Sequence, residues 1–395
     1  MGDTHRSPLK RHNSPSYRRI ARSGASGECC PARATTRIWI RRRTMKTSAK
    51  SAFAASVGCL LAAAAQAQSS VTLYGVMDAG VEYVSHAGPG GSGSAYRVTS
   101  GNTAASRWGM RGKEALGAGM SAIFVLESGF LTDTGMAGFG GRLFGRQAFA
   151  GIAGPWGKVT LGRQNNILFD LFIPFDTNRY APYSVLAHDA QFAGRADNAI
   201  KYTGNFGELT ISGLYSTGYD STIANGSEVP GAPRVGQEIG AGASYTIGKV
   251  GLAIAYDQRR GTSTVTAGNI ERRYAAGLLY TSGPFTAEAG YRLLQNGLAA
   301  PANRSHLYWL GGAYAVEPAL TLRAGIYRTD THASADDATS YVLQAAYTLS
   351  KRTELYVNAS YMDNAGRSTL GVASATRVAP GVGQTGVAAG MKHIF

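Results

Sequence analysis

The chain has 395 residues, 44% of them hydrophobic, with three cysteines and a formal net charge of +15. Residues 1–67 hold 13 of its 39 Lys and Arg but only 2 of its 24 Asp and Glu, which leaves 26 against 22 elsewhere, a net +4. The basic balance therefore belongs to the leader, and the rest of the chain carries neither the electrostatic footprint of a nucleic-acid binder nor the run of 18 apolar residues that marks a transmembrane helix.

Residues 1–44 are Arg-rich and lack apolar periodicity. They are expected to be a disordered upstream extension, with a nucleic-acid- or membrane-binding arm as the competing reading. A second pattern starts at Met45: Lys46 and Lys50, the short apolar run Ala52–Ala65, then Ala65-Gln66-Ala67. This predicts a signal peptide over 45–67 and a mature chain from Gln68. Cys29, Cys30 and Cys59 all precede Gln68. Cys59 lies inside the apolar run rather than at its end, which argues against a lipid anchor. The exported chain must be held together without disulfides.

From Val71 onward, residues alternate between apolar and polar. In 285–294, Phe285, Ala287, Ala289, Tyr291 and Leu293 share one face, and Thr286, Glu288, Gly290 and Arg292 the other. The same period of two runs through 320–329 and 354–361, which predicts strands with one apolar and one polar face. Tight connections, such as Gly154-Pro155-Trp156-Gly157, Ile247-Gly248-Lys249 and Ser282-Gly283-Pro284, alternate with long polar ones such as 131–141, 219–234 and 363–382. Short turns on one side and long loops on the other are the rhythm of an up-and-down barrel. Counting strands between them gives about sixteen of roughly ten residues each, the length a tilted membrane strand needs. A soluble β-sandwich would also alternate. It does not explain the loop rhythm, or the aromatics near strand ends (Tyr245, Tyr280, Tyr291, Tyr314, Tyr347 and Tyr361), which fit an interfacial girdle. Nor does it explain the last strand, Gln384–Phe395, whose natural partner is Val71–Tyr83, so that neither edge stays open.

One segment breaks the pattern. Residues 164–198 follow the strand Lys158–Arg163, precede the strand Ala199–Gly204, and show neither period. Pro174 and Pro182 interrupt any regular element. Six aromatics (Phe169, Phe172, Phe175, Tyr180, Tyr183 and Phe192) are too many for a disordered linker. A loop this long in a compact domain is usually functional. It is expected to fold into the barrel lumen and narrow it, carrying Asp170, Asp176 and Asp189.

Several segments resemble the trimeric general porins of β-proteobacteria, a Gram-negative family: 69–83, 106–120, 140–152, 157–164, 195–204 and the closing 388–395, in family order. The resemblance implies an all-β, 16-stranded antiparallel transmembrane barrel with a long third extracellular loop folded inward. It implies a homotrimer in the outer membrane, in contact with lipid and lipopolysaccharide, that passes small hydrophilic solutes and ions by diffusion. It also makes Phe395 part of the signal read by the barrel assembly machinery. The 44-residue extension is a departure from the family.

Strand parity then assigns the pore wall. If Trp108 and Met110 face outward over 106–113, Arg107, Arg111 and Lys113 face inward. Taking 142–152 as a strand with Phe149 outward puts Arg142 and Arg146 inside. Over 197–202 the same logic turns Asp197 and Lys201 inward, and Arg195 with them if the strand begins early. Arg163 shares parity with Val159 and Leu161, so its direction stays open; a bulge or strand end would turn it. The expected constriction is a basic wall of Arg107, Arg111, Arg146, Arg195 and Lys201 facing Asp170, Asp176 and Asp189. A preponderance of one sign biases a pore toward the opposite ion, here weakly toward anions. In the competing reading, these arginines only satisfy loop carbonyls and carboxylates. An adhesin or phage-receptor role for the long loops and a barrel hydrolase are the alternative functions. The hydrolase needs a Ser–His pair, but Ser305 and His306 are adjacent on a strand and point to opposite faces. No cofactor, metal site or nucleic-acid partner is expected.

Overall fold

The computed structural model describes residues 69–220 and 228–395, so the extension and signal peptide expected over 1–44 and 45–67 lie outside the described residues. The sheet begins with β1 (Ser70–Ser85), β2 (Ser94–Ser100), β3 (Arg107–Gly117), β4 (Met120–Gly129), β5 (Gln147–Gly154) and β6 (Gly157–Asn165). It continues with β7 (Arg195–Phe206), β8 (Leu209–Ser216), β9 (Glu238–Ile247), β10 (Val250–Arg260), β11 (Ile270–Ser282) and β12 (Phe285–Asn296). It ends with β13 (Asn303–Glu317), β14 (Leu320–Thr331), β15 (Ala338–Ser350), β16 (Thr353–Asn364) and β17 (Gln384–Ile394). Each pairs antiparallel with its neighbour, and β1 pairs with β17 from Val76↔Ile394 to Val84↔Gly386. That closure leaves neither end of the sheet with an open edge.

The 17 strands form sixteen barrel positions, because β2 and β3 share one. The upper half of β1 pairs with β2 and the lower half with β3. The break between them, 101–106, wraps around the buried Asp78 carboxylate. Asp78 accepts the N–H groups of Asn102 (3.1 Å), Thr103 (2.8 Å) and Ala104 (2.9 Å), and the Tyr356 hydroxyl at 2.6 Å. A charged side chain that replaces lost ladder bonds is not visible as alternation, and the periodicity reading missed it.

Alternation sets the two faces. Along β11, Tyr274, Ala276, Leu278 and Tyr280 are exposed while Glu271, Arg273, Ala275 and Gly277 are buried. Along β16, Leu355, Val357 and Tyr361 face out against buried Tyr356, Asn358 and Ser360. An apolar exterior over a polar interior inverts a soluble protein and suits a wall set in hydrocarbon. Five of the six expected girdle tyrosines are exposed; Tyr291 is half-buried against Tyr308 and His306. Seven two-residue turns join one end of the barrel, and at Gly248 and Gly283 (both φ +57°) they use a left-handed conformation that glycine adopts without strain.

Segment 164–198 leaves β6 and packs against the inner faces of the strands. It is not irregular throughout: short helical turns occupy Ile167–Phe172 and Val185–His188, with 3₁₀ turns at Ile173–Phe175 and Ala190–Ala193. Asn166, Ser184 and Asp189 cap them, accepting the N–H groups of Phe169, Leu186 and Gln191. Each turn is too short to register as a helical period. Opposite Ile167, Leu171 and Phe175 the wall carries glycines. A Cβ on Gly242 would meet Leu171 at 2.7 Å, and one on Gly277 would meet the Phe175 ring at 2.9 Å. These glycines open the groove in which Ile167, Leu171 and Phe175 bury their side chains. Phe192 packs edge-on against Trp309 (5.5 Å), whose indole N–H donates to the Phe175 carbonyl at 2.7 Å.

Candidate functional site: the inner cavity

The loop fills one side of the interior and leaves a cavity of about 740 Å³ on the other. Its lining includes six cations (Arg107, Arg146, Arg179, Arg195, Arg323 and Lys392) and two carboxylates (Glu127 and Glu354).

Three of the five expected wall cations, Arg107, Arg146 and Arg195, line this cavity, each positioned differently. Arg107 opens β3, with Nε 3.6 Å from Glu127. Arg146 precedes β5 and pairs with Glu127 at 2.7 Å. Residues 142–146 are thus a loop end rather than the start of the expected strand at Arg142; Gly145 lies against Phe139 there, and the strand begins at Gln147. Arg195 is the first residue of β7, as the parity argument requires. Its guanidinium lies 4.7 Å from the Phe139 ring centroid and 5.1 Å from that of Phe169, and it donates to the Ala193 carbonyl at 2.9 Å. Cation–π contact with two rings holds a guanidinium without neutralising it.

The other two expected cations lie elsewhere. Arg111 stacks over Tyr74 (5.3 Å) outside the cavity lining. Lys201 is buried, donating to Asp170 at 2.7 Å and the Asn165 carbonyl at 2.9 Å. Arg163 is turned by a bulge between Gly162 and Gln164 and pairs with Asp197, which Arg142 also reaches at 3.1 Å.

The loop acids do not form a row facing the cavity, because each is used to fasten the loop. Asp170 holds Lys201. Buried Asp176 accepts the Tyr180 N–H at 2.7 Å and the Tyr327 hydroxyl at 2.8 Å. Burial pushes its carboxyl above the usual range, against the pull of those donors. Asp189 pairs with Arg273 (2.9 Å) and Arg292 (3.0 Å). Burial alone would raise it, but the two guanidinium groups outweigh burial and hold it below the ordinary carboxylate range. Beside it, His188 bonds Thr329 (2.9 Å) and Ser340 (2.8 Å), and burial, reinforced by Arg292, pushes its imidazole down to about 3.

Three cavity cations, Arg179, Arg195 and Arg323, have no ion pair among the described residues, whereas Glu127 is shared by Arg146 and Arg107, and Glu354 pairs with Lys392. Sequence reasoning missed Arg179, Arg323, Lys392, Glu127 and Glu354. Parity had already put Arg323 on the polar face of 320–329, but only the fold shows that this face meets the cavity. Phe395 closes the sheet by exchanging backbone hydrogen bonds with Gly75 (3.0 and 3.1 Å). Ser305 is buried, with its hydroxyl on Arg292, while His306 stacks on Tyr291 and Tyr308; the two do not meet.

Comparison with known proteins places this geometry. The Gram-negative porin family model matches residues 52–367. An outer membrane porin protein of Bordetella pertussis is 30% identical over 368 residues, spanning 80% of this chain and 94% of its own. Outer membrane porin protein 32 of Delftia acidovorans is 30% identical over 352 residues, spanning 84% and 96%. The solved anion-selective porin from Comamonas acidovorans superposes with a TM-score of 0.71 at 26% identity, covering 83% of this chain and all of that one.

Proposed function

The chain belongs to the Gram-negative porin family, and from that premise we propose that it is a general diffusion pore with a weak preference for anions. As an outer-membrane β-barrel porin it is a channel and not an enzyme. Small hydrophilic solutes and ions pass through a water-filled lumen narrowed by residues 164–198. One observation carries the preference, the surplus of cations along the cavity, three of them unpaired. Cations fixed in a narrow aqueous passage raise the local anion concentration and lower that of cations. The anion selectivity of the Comamonas acidovorans porin points the same way.

The working form in this reading is a homotrimer, embedded in outer-membrane lipid and lipopolysaccharide, with Phe395 recognised by the barrel assembly machinery and residues 45–67 removed as a signal peptide. N-terminal sequencing of the native protein is expected to give Gln68; a start upstream of Met45 contradicts that processing. Reversal potentials across a planar bilayer in a KCl gradient test the pore. The wild type should show anion preference, and Arg195→Gln should reduce it most among the wall cations. Replacing both Arg107 and Arg146 by Ser should shift selectivity toward cations further than any single substitution, since it removes two charges and leaves Glu127 uncompensated. Clear cation preference in the wild type contradicts the assignment.

A further inference from the structure

The inserted loop brings a cation of its own into the cavity. Arg179 is exposed, although Asp176, Thr177 and Asn178 just before it are buried. Arg179 and Tyr180 both adopt left-handed backbone conformations, with φ of +50° and +64°. For two consecutive non-glycine residues that conformation is costly and persists only where the surroundings enforce it. Here Asp176 enforces it. Its carbonyl accepts the Arg179 N–H at 2.8 Å and its carboxylate accepts the Tyr180 N–H at 2.7 Å. Tyr327, from the wall, anchors that carboxylate, and the Tyr180 hydroxyl ties back to the Leu168 carbonyl at 3.0 Å.

The turn directs Arg179 at the stretch of wall that carries Arg323, whose guanidinium donates to Gln344 at 2.7 Å. Arg323 lies within range of the charges of Arg179, Glu354 and Glu288. Glu354 is engaged by Lys392 at 2.8 Å, and Glu288 is buried against Thr177.

We propose that Arg179 and Arg323 form a second anion-contact station in the lumen, separate from Arg195, and that Asp176 is the positioning residue that aims Arg179 into it. The inference rests on the anion-pore reading and deepens it: loop and wall then act with the same sign, and an anion passes between two cationic groups instead of across a dipolar slot. Asp176, one of the three loop acids expected from sequence to face the pore, serves the opposite purpose.

The test uses the full-length protein in planar bilayers, with Arg179→Asn, Arg179→Lys, Arg323→Gln and Arg195→Gln. Asn tolerates the left-handed conformation, so Arg179→Asn removes the charge without disturbing the turn. Removing a unit charge about 6 Å from a passing ion in a water-like dielectric changes its local concentration about threefold. Because chloride falls and potassium rises by about that factor, Arg179→Asn and Arg323→Gln should each lower the chloride-to-potassium permeability ratio by up to about tenfold, and Arg179→Lys should retain it. An anion-preferring wild type in which Arg195→Gln lowers the ratio but Arg179→Asn and Arg323→Gln leave it unchanged overturns this inference alone. A cation-preferring wild type overturns it together with the reading it rests on.

Discussion

The two sides of the barrel interior use charge in opposite ways. On the side formed by β9 to β12, arginines and acids neutralise one another and fasten the loop: Arg273 serves Asp189, Glu271 and Asp257, and Arg292 serves Asp189. On the side entered by β3, β5 and β7, three cations line the cavity against one acid, Glu127, and Arg195 has no ion pair among the described residues. In the proposed pore the same residue types thus build a scaffold where charges balance and a filter where cations are in surplus. Ion pairing, more than residue identity, decides which arginines a passing ion meets.

That contrast can be broken first at the scaffold. Asp189→Ala strands Arg292 as a buried, uncompensated cation, takes one of three carboxylates from Arg273, and should destabilise loop docking by about 3–5 kcal/mol. Denaturant titration in detergent should show the loss, and single-channel records should become larger and noisier as the loop leaves the wall. A silent Asp189→Ala would mean that apolar packing alone holds the loop. Gly277→Leu attacks that packing instead. A side chain there collides with Phe175, and overpacking of this kind should cost about 1–3 kcal/mol while raising conductance and leaving the barrel intact by circular dichroism.

A gentler perturbation uses pH. The His188 imidazole is held near 3 in the folded loop, against about 6.5 when unfolded. Its neutral form therefore contributes fully above about pH 6.5, and that contribution is lost progressively as pH falls toward the folded value, by at most about tenfold in docking equilibrium per pH unit. Hydrogen exchange at 185–193, corrected for intrinsic rates, should show protection falling over this window in wild type and a flatter profile in His188→Gln. The smallest expected effect sharpens the filter side. Glu127→Gln releases Arg107 and Arg146 and should raise anion preference about threefold in the bilayer reversal potential.

Much of this architecture was legible in the chain because a membrane barrel writes itself as alternation. Leu322, Ala324 and Ile326 against Arg323, Gly325 and Tyr327 needed only parity. The closure of β1 on β17 followed from the need to remove both edges. What parity did not convey was pairing. It turned Lys201 and Arg146 inward, but did not show that Asp170 neutralises one and Glu127 the other. Nor did it show that Asp176 and Asp189 are held by Tyr327, Arg273 and Arg292, partners more than eighty residues away. The glycines that receive the loop, Gly242 and Gly277, were written in the sequence, but their meaning depends on what lies against them in space.

Residues 164–198 pack inside the barrel on the wall of β9 to β14. Because all three native cysteines precede Gln68, a paired substitution Phe175→Cys and Gly277→Cys tests this placement directly. A Cβ on Gly277 lies 3.1 Å from that of Phe175, close to the range a disulfide bridges. Oxidation of the folded protein should form that intramolecular bond, seen as loss of alkylatable thiol by mass spectrometry, with the pore still conducting. Two thiols that both remain alkylatable in a folded, conducting barrel would contradict the account.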